Sequence, residues 1–257
     1  MTRAADLMKF SVIIPVYNEP PGLGATIGAV REAAGGREVE IILSCAGPGG
    51  APDAHPGVQL LCSPKGRAAQ MNLGAGKASG DVLVFLHADT LLPPGAFQAM
   101  ELALGARAYC GGAFRLKLNS RSAWLRFVAW SANIRNTFTG TPYGDQAIFV
   151  RAGFFRALGG YRELPIMEDV DLVDRARKAG GRLTILKESV LTSPRRWETD
   201  GMLSTTLTNH ALSLLYLAGV EPAKLARLRE SRGLRAKIAA LSGAAGLERE
   251  RGRYGSD

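Results

Sequence analysis

Apolar and polar positions follow two regimes along this chain. In the first half, short continuous apolar runs alternate with stretches of helical period. Phe10-Ser11-Val12-Ile13-Ile14-Pro15-Val16-Tyr17 is the first run, and a run of that kind predicts a strand buried on both faces. Asn18-Glu19-Pro20-Pro21-Gly22 ends it as a turn, after which Leu23, Ile27 and Val30 recur at helical spacing up to Gly35-Gly36. Residues 40–44 and 58–62 predict the second and third strands. Between them lies a loop, residues 46–53, with little side-chain chemistry. Residues 66–78 have a helical pattern rich in small residues, which lets a helix lie close to a sheet or a ligand. Val82-Leu83-Val84-Phe85-Leu86 is the next buried strand, and it runs into the polar tip His87-Ala88-Asp89-Thr90. Leu91-Leu92-Pro93-Pro94-Gly95 breaks that strand and opens a helix. This alternation predicts a parallel sheet with right-handed crossovers. Such sheets bind ligands outside the carboxyl ends of their strands, where Asp89 and His87 fall. A carboxylate there can grip a divalent metal, and the metal a diphosphate. The tip also reads as an ordinary turn that carries Asp.

The second half changes character. Residues 111–118 alternate apolar and basic residues, the mark of a half-exposed strand. Residues 124–134 have a helical pattern. Pro142-Tyr143-Gly144-Asp145-Gln146 is a turn into a strand at 147–150, and Phe154 to Tyr161 reads as a short helix stopped by glycine. Pro165-Ile166-Met167-Glu168-Asp169 opens a helix that runs through Ala179, with its acids early and its bases late, as the macrodipole favours. Residues 183–186 are a last strand candidate. Leu203, Leu207, Ala211, Leu214, Leu215 and Ala218 then form one apolar helix stripe. From Glu221 the tail carries nine Lys/Arg against five Asp/Glu, and fraying is expected after about Ala240.

Composition narrows the function. The 257 residues are 46% apolar, enough for one α/β domain with a short appendage, and the net charge of +9 favours anionic partners. No basic run is interleaved with aromatics, so nucleic acid is not expected as a partner. Three cysteines without metal-like spacing argue against a disulfide framework and for a reducing cytoplasm. No signal peptide or membrane span is expected. For the stripe and the basic tail two readings stay open. Either the stripe packs on the domain and the tail is a solvated face, or the basic amphipathic end lies on an anionic membrane surface.

Several motifs in order carry a family resemblance. They are residues 11–19, residues 66–78, His87-Ala88-Asp89-Thr90, Pro142-Tyr143-Gly144-Asp145-Gln146-Ala147, Gly159-Gly160-Tyr161, Met167-Glu168-Asp169-Val170 and Arg195-Arg196-Trp197. The chain resembles a family 2 glycosyltransferase of GT-A fold from about Phe10 to about Leu228, and within that family a small bacterial branch of selenodomain-associated transferases. The resemblance implies a Rossmann-like, mostly parallel central sheet flanked by helices, with a C-terminal helical extension. It implies a glycosyltransferase domain over 1–200, with a nucleotide-binding half at about 10–95 and an acceptor half at about 96–200. Residues 201–257 would then form an amphipathic helix and a basic tail.

The implied activity is inverting transfer of a sugar from a nucleotide-diphospho-sugar to an acceptor hydroxyl, lipid-linked or not, with a divalent cation (manganese or magnesium). By the resemblance Asp169 is the general base and Glu168 helps position the site. Asp89, with His87 in place of a first Asp, would hold the metal. Pro15, Tyr17, Asn18 and Glu19 would hold the nucleotide, with Arg67 and Asn72 as further contacts. Asp145 and Gln146 would face the acceptor, and Arg195, Arg196 and Trp197 the donor diphosphate and a sugar. Each also has a plainer reading: helix acids that favour the dipole, turn residues, solvated helix positions, or a basic loop beside a buried Trp. One departure stands out. The family's usual Asp after the second strand is missing from Ser44-Cys45-Ala46-Gly47-Pro48-Gly49-Gly50. Two other functions compete: a non-catalytic nucleotide-sugar-binding protein on the same fold, and a sugar nucleotidyltransferase.

Overall fold

The computed structural model describes residues 8–18, 22–47, 55–106 and 108–230. The loop from Pro48 to Asp53, Glu19 and the tail from Ser231 onward, including the expected fraying, lie outside the described residues. The described chain falls into two compact units. The first comprises residues up to 119 together with 129–163 and 168–193; the second comprises 120–128, 164–167 and the chain from 194.

The first unit is built on one eight-stranded sheet. Its strands are β1 (Phe10–Tyr17), β2 (Val39–Ala46), β3 (Val58–Cys62), β4 (Val82–Phe85), β5 (Thr90–Leu91), β6 (Gly111–Leu118), β7 (Ile148–Arg151) and β8 (Leu183–Thr192). Their order is β3-β2-β1-β4-β7-β6-β8-β5. The first four strands, β1 to β4, are parallel, as the strand-helix alternation predicts. The sheet is mixed beyond them. β7 runs antiparallel to both β4 and β6, β6 and β8 are parallel, and the two-residue β5 closes the edge antiparallel to β8.

Side-chain alternation explains why the apolar runs are continuous. Phe10, Val12, Ile14 and Val16 of β1 face one layer, with Val82, Val84 and Leu86; Ile13, Leu83 and Phe85 face the other. The first layer is α1 (Leu23–Ala34) and α3 (Ala96–Gly105), whose Phe97 ring meets Phe10 edge-on at 5.0 Å. The second layer contains α2 (Arg67–Lys77), α5 (Ala152–Ala157) and α6 (Glu168–Lys178). The remaining long helix that enters this unit is α4 (Ala123–Thr139), which contributes its residues from Ala129 on. Each fully buried Leu, Ile or Phe contributes about 1.5–3 kcal/mol.

The small residues of α2 do what their size suggests. A Cβ on Gly74 would lie 2.5 Å from Ile13 Cγ2 and 3.0 Å from Ser44 Oγ, so the helix can sit this close only with glycine there. Closeness lets the buried Gln70 amide donate to both Val16 O and Ser44 O at 2.7 Å, pinning the carboxyl ends of β1 and β2 together.

β8 is longer than the 183–186 reading. The exposed Lys187 and Glu188 interrupt the apolar pattern, but a register shift between Ala113 and Arg115 lets pairing with β6 resume through Thr192. Local hydrophobicity could not reveal this, because the continuation depends on the partner strand.

The second unit contains α7 (Arg195–Asp200), α8 (Met202–Leu217) and α9 (Pro222–Glu230). Its small core joins Ile166, Leu212 and Leu225. The apolar stripe of α8 is not what this core uses. Leu207, Leu214 and Leu215 are 43%, 67% and 38% exposed, while Leu212 and the polar Thr205 are buried. No helix among the described residues is long and apolar enough to cross a membrane.

Candidate active site

The site forms where β4 ends. Leu86 N donates to Ile13 O, and the chain then turns, with Thr90 N donating to His87 O at 3.1 Å. Asp89 is half-buried in this tip, and its carboxylate makes no hydrogen bond or ion pair among the described residues. Its backbone is fixed, because Ser193 N donates to Asp89 O at 3.1 Å.

Asp169 reaches the same region from the first turn of α6. One carboxylate oxygen accepts from the Gly144 amide, and the other accepts from Val170 N at 2.8 Å. A Cβ placed on Gly144 would lie 3.0 Å from His87 Nε2 and 3.2 Å from Asp169 Oδ2. The His87 imidazole and the Asp169 carboxylate thus converge on one glycine, and a Cβ there would press on both, so they would have to give by a few tenths of an ångström. A carboxylate has roughly four acceptor positions, so two amides orient Asp169 without filling it.

Glu168 has a different environment. It is buried and ion-paired to Arg67 Nη1 at 3.0 Å. Burial pushes its carboxyl above the ordinary range, Arg67 pulls it down, and Asp169 pushes it up again. The Arg67 guanidinium lies in the field of Glu168, Asp169 and Asp145, so these four charged groups share one neighbourhood. Behind them Tyr161 packs edge-on against Phe85 at 4.9 Å. Burial first, then Asp169 and Glu168, raise its phenol well above 10, which keeps it neutral.

Two predicted contacts have all or most of their hydrogen-bonding groups engaged inside the fold. Asn72 holds the Tyr161 backbone from both sides: Nδ2 donates to Tyr161 O and Oδ1 accepts from Tyr161 N, both at 2.8 Å. Gln146 is buried. Its Oε1 accepts from Asn136 Nδ2 at 2.7 Å and from Tyr143 N at 3.1 Å, and its Nε2 donates to Phe114 O at 2.9 Å. That arrangement fixes the 3-10 turn Gly144–Gln146, which presents Gly144 and Asp145. Asp171 also does more than favour the helix dipole. It pairs with Arg175 at 2.7 Å, and Arg175 in turn donates to Leu158 O and Gly160 O.

At the end of β1, Pro15 and Tyr17 lie in the strand and Asn18 just after it. Lys65 Nζ sits 4.9 Å from the centroid of the Tyr17 ring. Any side chain at Gly47 would collide with Asn18 Oδ1, so the amide of Asn18 lies against the glycine that follows β2. Arg195, Arg196 and Trp197 belong to α7 of the second unit. Trp197 is buried there and its indole N–H donates to Thr206 Oγ1 at 3.3 Å.

Sequence reasoning missed a buried hydroxyl chain. Thr90 Oγ1 lies 3.0 Å from Thr192 Oγ1, and Thr192 Oγ1 donates to Asp145 O at 3.1 Å. The carbonyl can only accept, so the Thr90 hydroxyl donates to Thr192. The residue after Asp89 is thereby tied to the loop that carries Asp145. Thr192→Val keeps the shape and loses both bonds. It is expected to lower unfolding stability by about 1–3 kcal/mol in urea titration, with Thr192→Ser close to wild type. No one-dimensional pattern marks this pair. A second missed signal is backbone strain. Among the described residues the non-glycine positions at positive φ are Asn18, Ala147 and Met167, and each adjoins a candidate site residue. Such positions cost of order 1–3 kcal/mol and tend to gather at functional sites.

Comparison with known proteins bears on this geometry. Residues 50–159 match the family described as Glycosyl transferase family 2. The match to family 2 covers somewhat less than half of the chain. The matched segment contains the Asp89 tip and the Gly144 turn and stops before Glu168 and Asp169. In fold the chain is similar to crystal structures of S. aureus TarS. Residues 1–349 of TarS align with TM-score 0.51 at 16% identity, over 79% of this chain and 66% of that one. A longer TarS chain gives TM-score 0.53 at 15% identity, over 88% and 44%. This chain therefore covers less than two thirds of either, and the likeness is one of fold, a GT-A-like α/β arrangement. Comparison with curated proteins found no match.

Proposed function

We propose that this chain is a glycosyltransferase, which moves a sugar from a nucleotide-diphospho-sugar to an acceptor hydroxyl with inversion, using Asp169 as general base. The observation that carries the reading is the convergence of His87 and Asp169 on Gly144, beside a tip where the Asp89 carboxylate has no side-chain partner among the described residues. Asp169 accepts the proton of the acceptor hydroxyl as its oxygen attacks the anomeric carbon. The bond from that carbon to the diphosphate oxygen breaks, and the nucleoside diphosphate leaves with the electron pair. Glu168 holds Arg67 in position, and the exposed part of Arg67 can meet the diphosphate. Tyr17 and Asn18 line the nucleotide end. Asn72 and Gln146 act on the site through the backbone segments they fasten.

A divalent cation fits this site in a limited way. No group of three or more His, Cys, Asp or Glu suited to a metal occurs among the described residues. Asp89 would hold the ion, with the diphosphate and water supplying most other ligands, as is common for magnesium. His87 turns its Nε2 against Gly144, which favours Asp89 as the main protein ligand. When bound, the ion would neutralise charge on the leaving diphosphate.

The testing experiment is a thermal-shift screen of nucleotide-diphospho-sugars with and without manganese, followed by NMR of the product formed from the best donor. Stabilisation by one donor class and inverted anomeric configuration are expected. A retained configuration would remove Asp169 from its role. Binding without turnover would favour a non-catalytic module, and pyrophosphate release from a nucleoside triphosphate would favour a nucleotidyltransferase.

A further inference from the structure

We infer that the second unit docks on an anionic lipid surface through the outward face of α8. Leu207, Leu214 and Leu215 stand at i, i+7 and i+8 and share a helix face with Ala211 and Ala218. All three leucines are exposed, and Leu214 is 67% exposed. The opposite side of the same helix buries Leu212 against Ile166 and Leu225, with the polar Thr205 also buried. A helix that merely covers a core shows the reverse, with its apolar stripe inside and its hydroxyls outside.

The charge of the same unit identifies the occupant. α9 presents exposed Lys224 and Arg227, and the chain from Glu221 carries nine Lys/Arg against five Asp/Glu. Trp124 and Phe127, 37% and 53% exposed with ring centroids 6.0 Å apart, belong to this unit as well and are accompanied by the exposed Arg126. A soluble anion would leave the leucines and aromatic rings without a role, and an uncharged apolar partner would leave the bases without one. The boundary between headgroups and acyl chains of an anionic bilayer accommodates both. Trp side chains are favoured at that depth. Because no described helix can span a bilayer, the contact is peripheral. This inference is independent of the catalytic reading.

Co-sedimentation of the full chain with vesicles tests it. The protein should pellet with phosphatidylcholine vesicles that contain phosphatidylglycerol, stay in solution with phosphatidylcholine alone, and be released as salt rises. Leu207→Ser, Leu214→Ser and Leu215→Ser together should weaken binding on the order of 100-fold without lowering the melting temperature. Lys224→Glu with Arg227→Glu should weaken it too. No binding to either vesicle at low salt would overturn the inference. So would wild-type binding by the triple leucine variant, or a marked fall in its melting temperature, since the stripe would then pack within the molecule. A dimer that the leucine changes abolish would name a second copy as the occupant instead.

Discussion

Asp169→Asn is expected to slow sugar transfer by about 100- to 10,000-fold while nucleoside diphosphate affinity stays near wild type. The substitution keeps the shape of the side chain and removes its capacity to take a proton. It also offers a single acceptor oxygen to two amides, Gly144 N and Val170 N, where the carboxylate serves both. A modest fall in melting temperature should therefore accompany the kinetic loss. Turnover is read with labelled donor and affinity by calorimetry. A variant that keeps full turnover would leave Asp169 as a helix-initiating acid that holds the Gly144 turn, and nothing more.

Asp89→Ala is expected to weaken cation-dependent binding of a nucleoside diphosphate at least about 100-fold, because it removes the carboxylate proposed to hold the ion. The fold should tolerate the change. The Asp89 side chain has no partner among the described residues, and the bond from Ser193 N goes to its backbone. His87→Ala should weaken binding less, since the imidazole Nε2 lies against Gly144. Calorimetry with and without manganese separates the cases. Unchanged affinity in Asp89→Ala would take the carboxylate out of donor binding. Equal losses in both variants would make His87 a ligand of the same standing.

Much of the first half was legible from pattern alone. Buried parallel strands have to be apolar on both faces, so β1 and β4 announce themselves, and the Asp89 tip falls at a strand end by simple counting. The glycines of α2 were likewise readable as a sign of close approach, because only the absence of a Cβ permits it. The motif order pointed to family 2, and the match over residues 50–159 agrees with it for that segment.

What the tertiary structure alone decided concerns partners distant in sequence. Antiparallel β7 and the bulged length of β8 depend on which strand lies alongside, which side-chain period cannot encode. Local pattern presents Asn72, Gln146 and Thr192 as ordinary polar residues. Only the folded chain brings Tyr161, Phe114 and Asp145 to them, since each bond closes a loop of at least 32 residues. The α8 stripe is the sharpest case. Its periodicity fixes that the leucines share one face, but which way that face turns is set by the contacts of Leu212 with Ile166 and Leu225, residues outside the helix. An amphipathic pattern specifies a face, and only its neighbours decide whether that face meets a core or solvent.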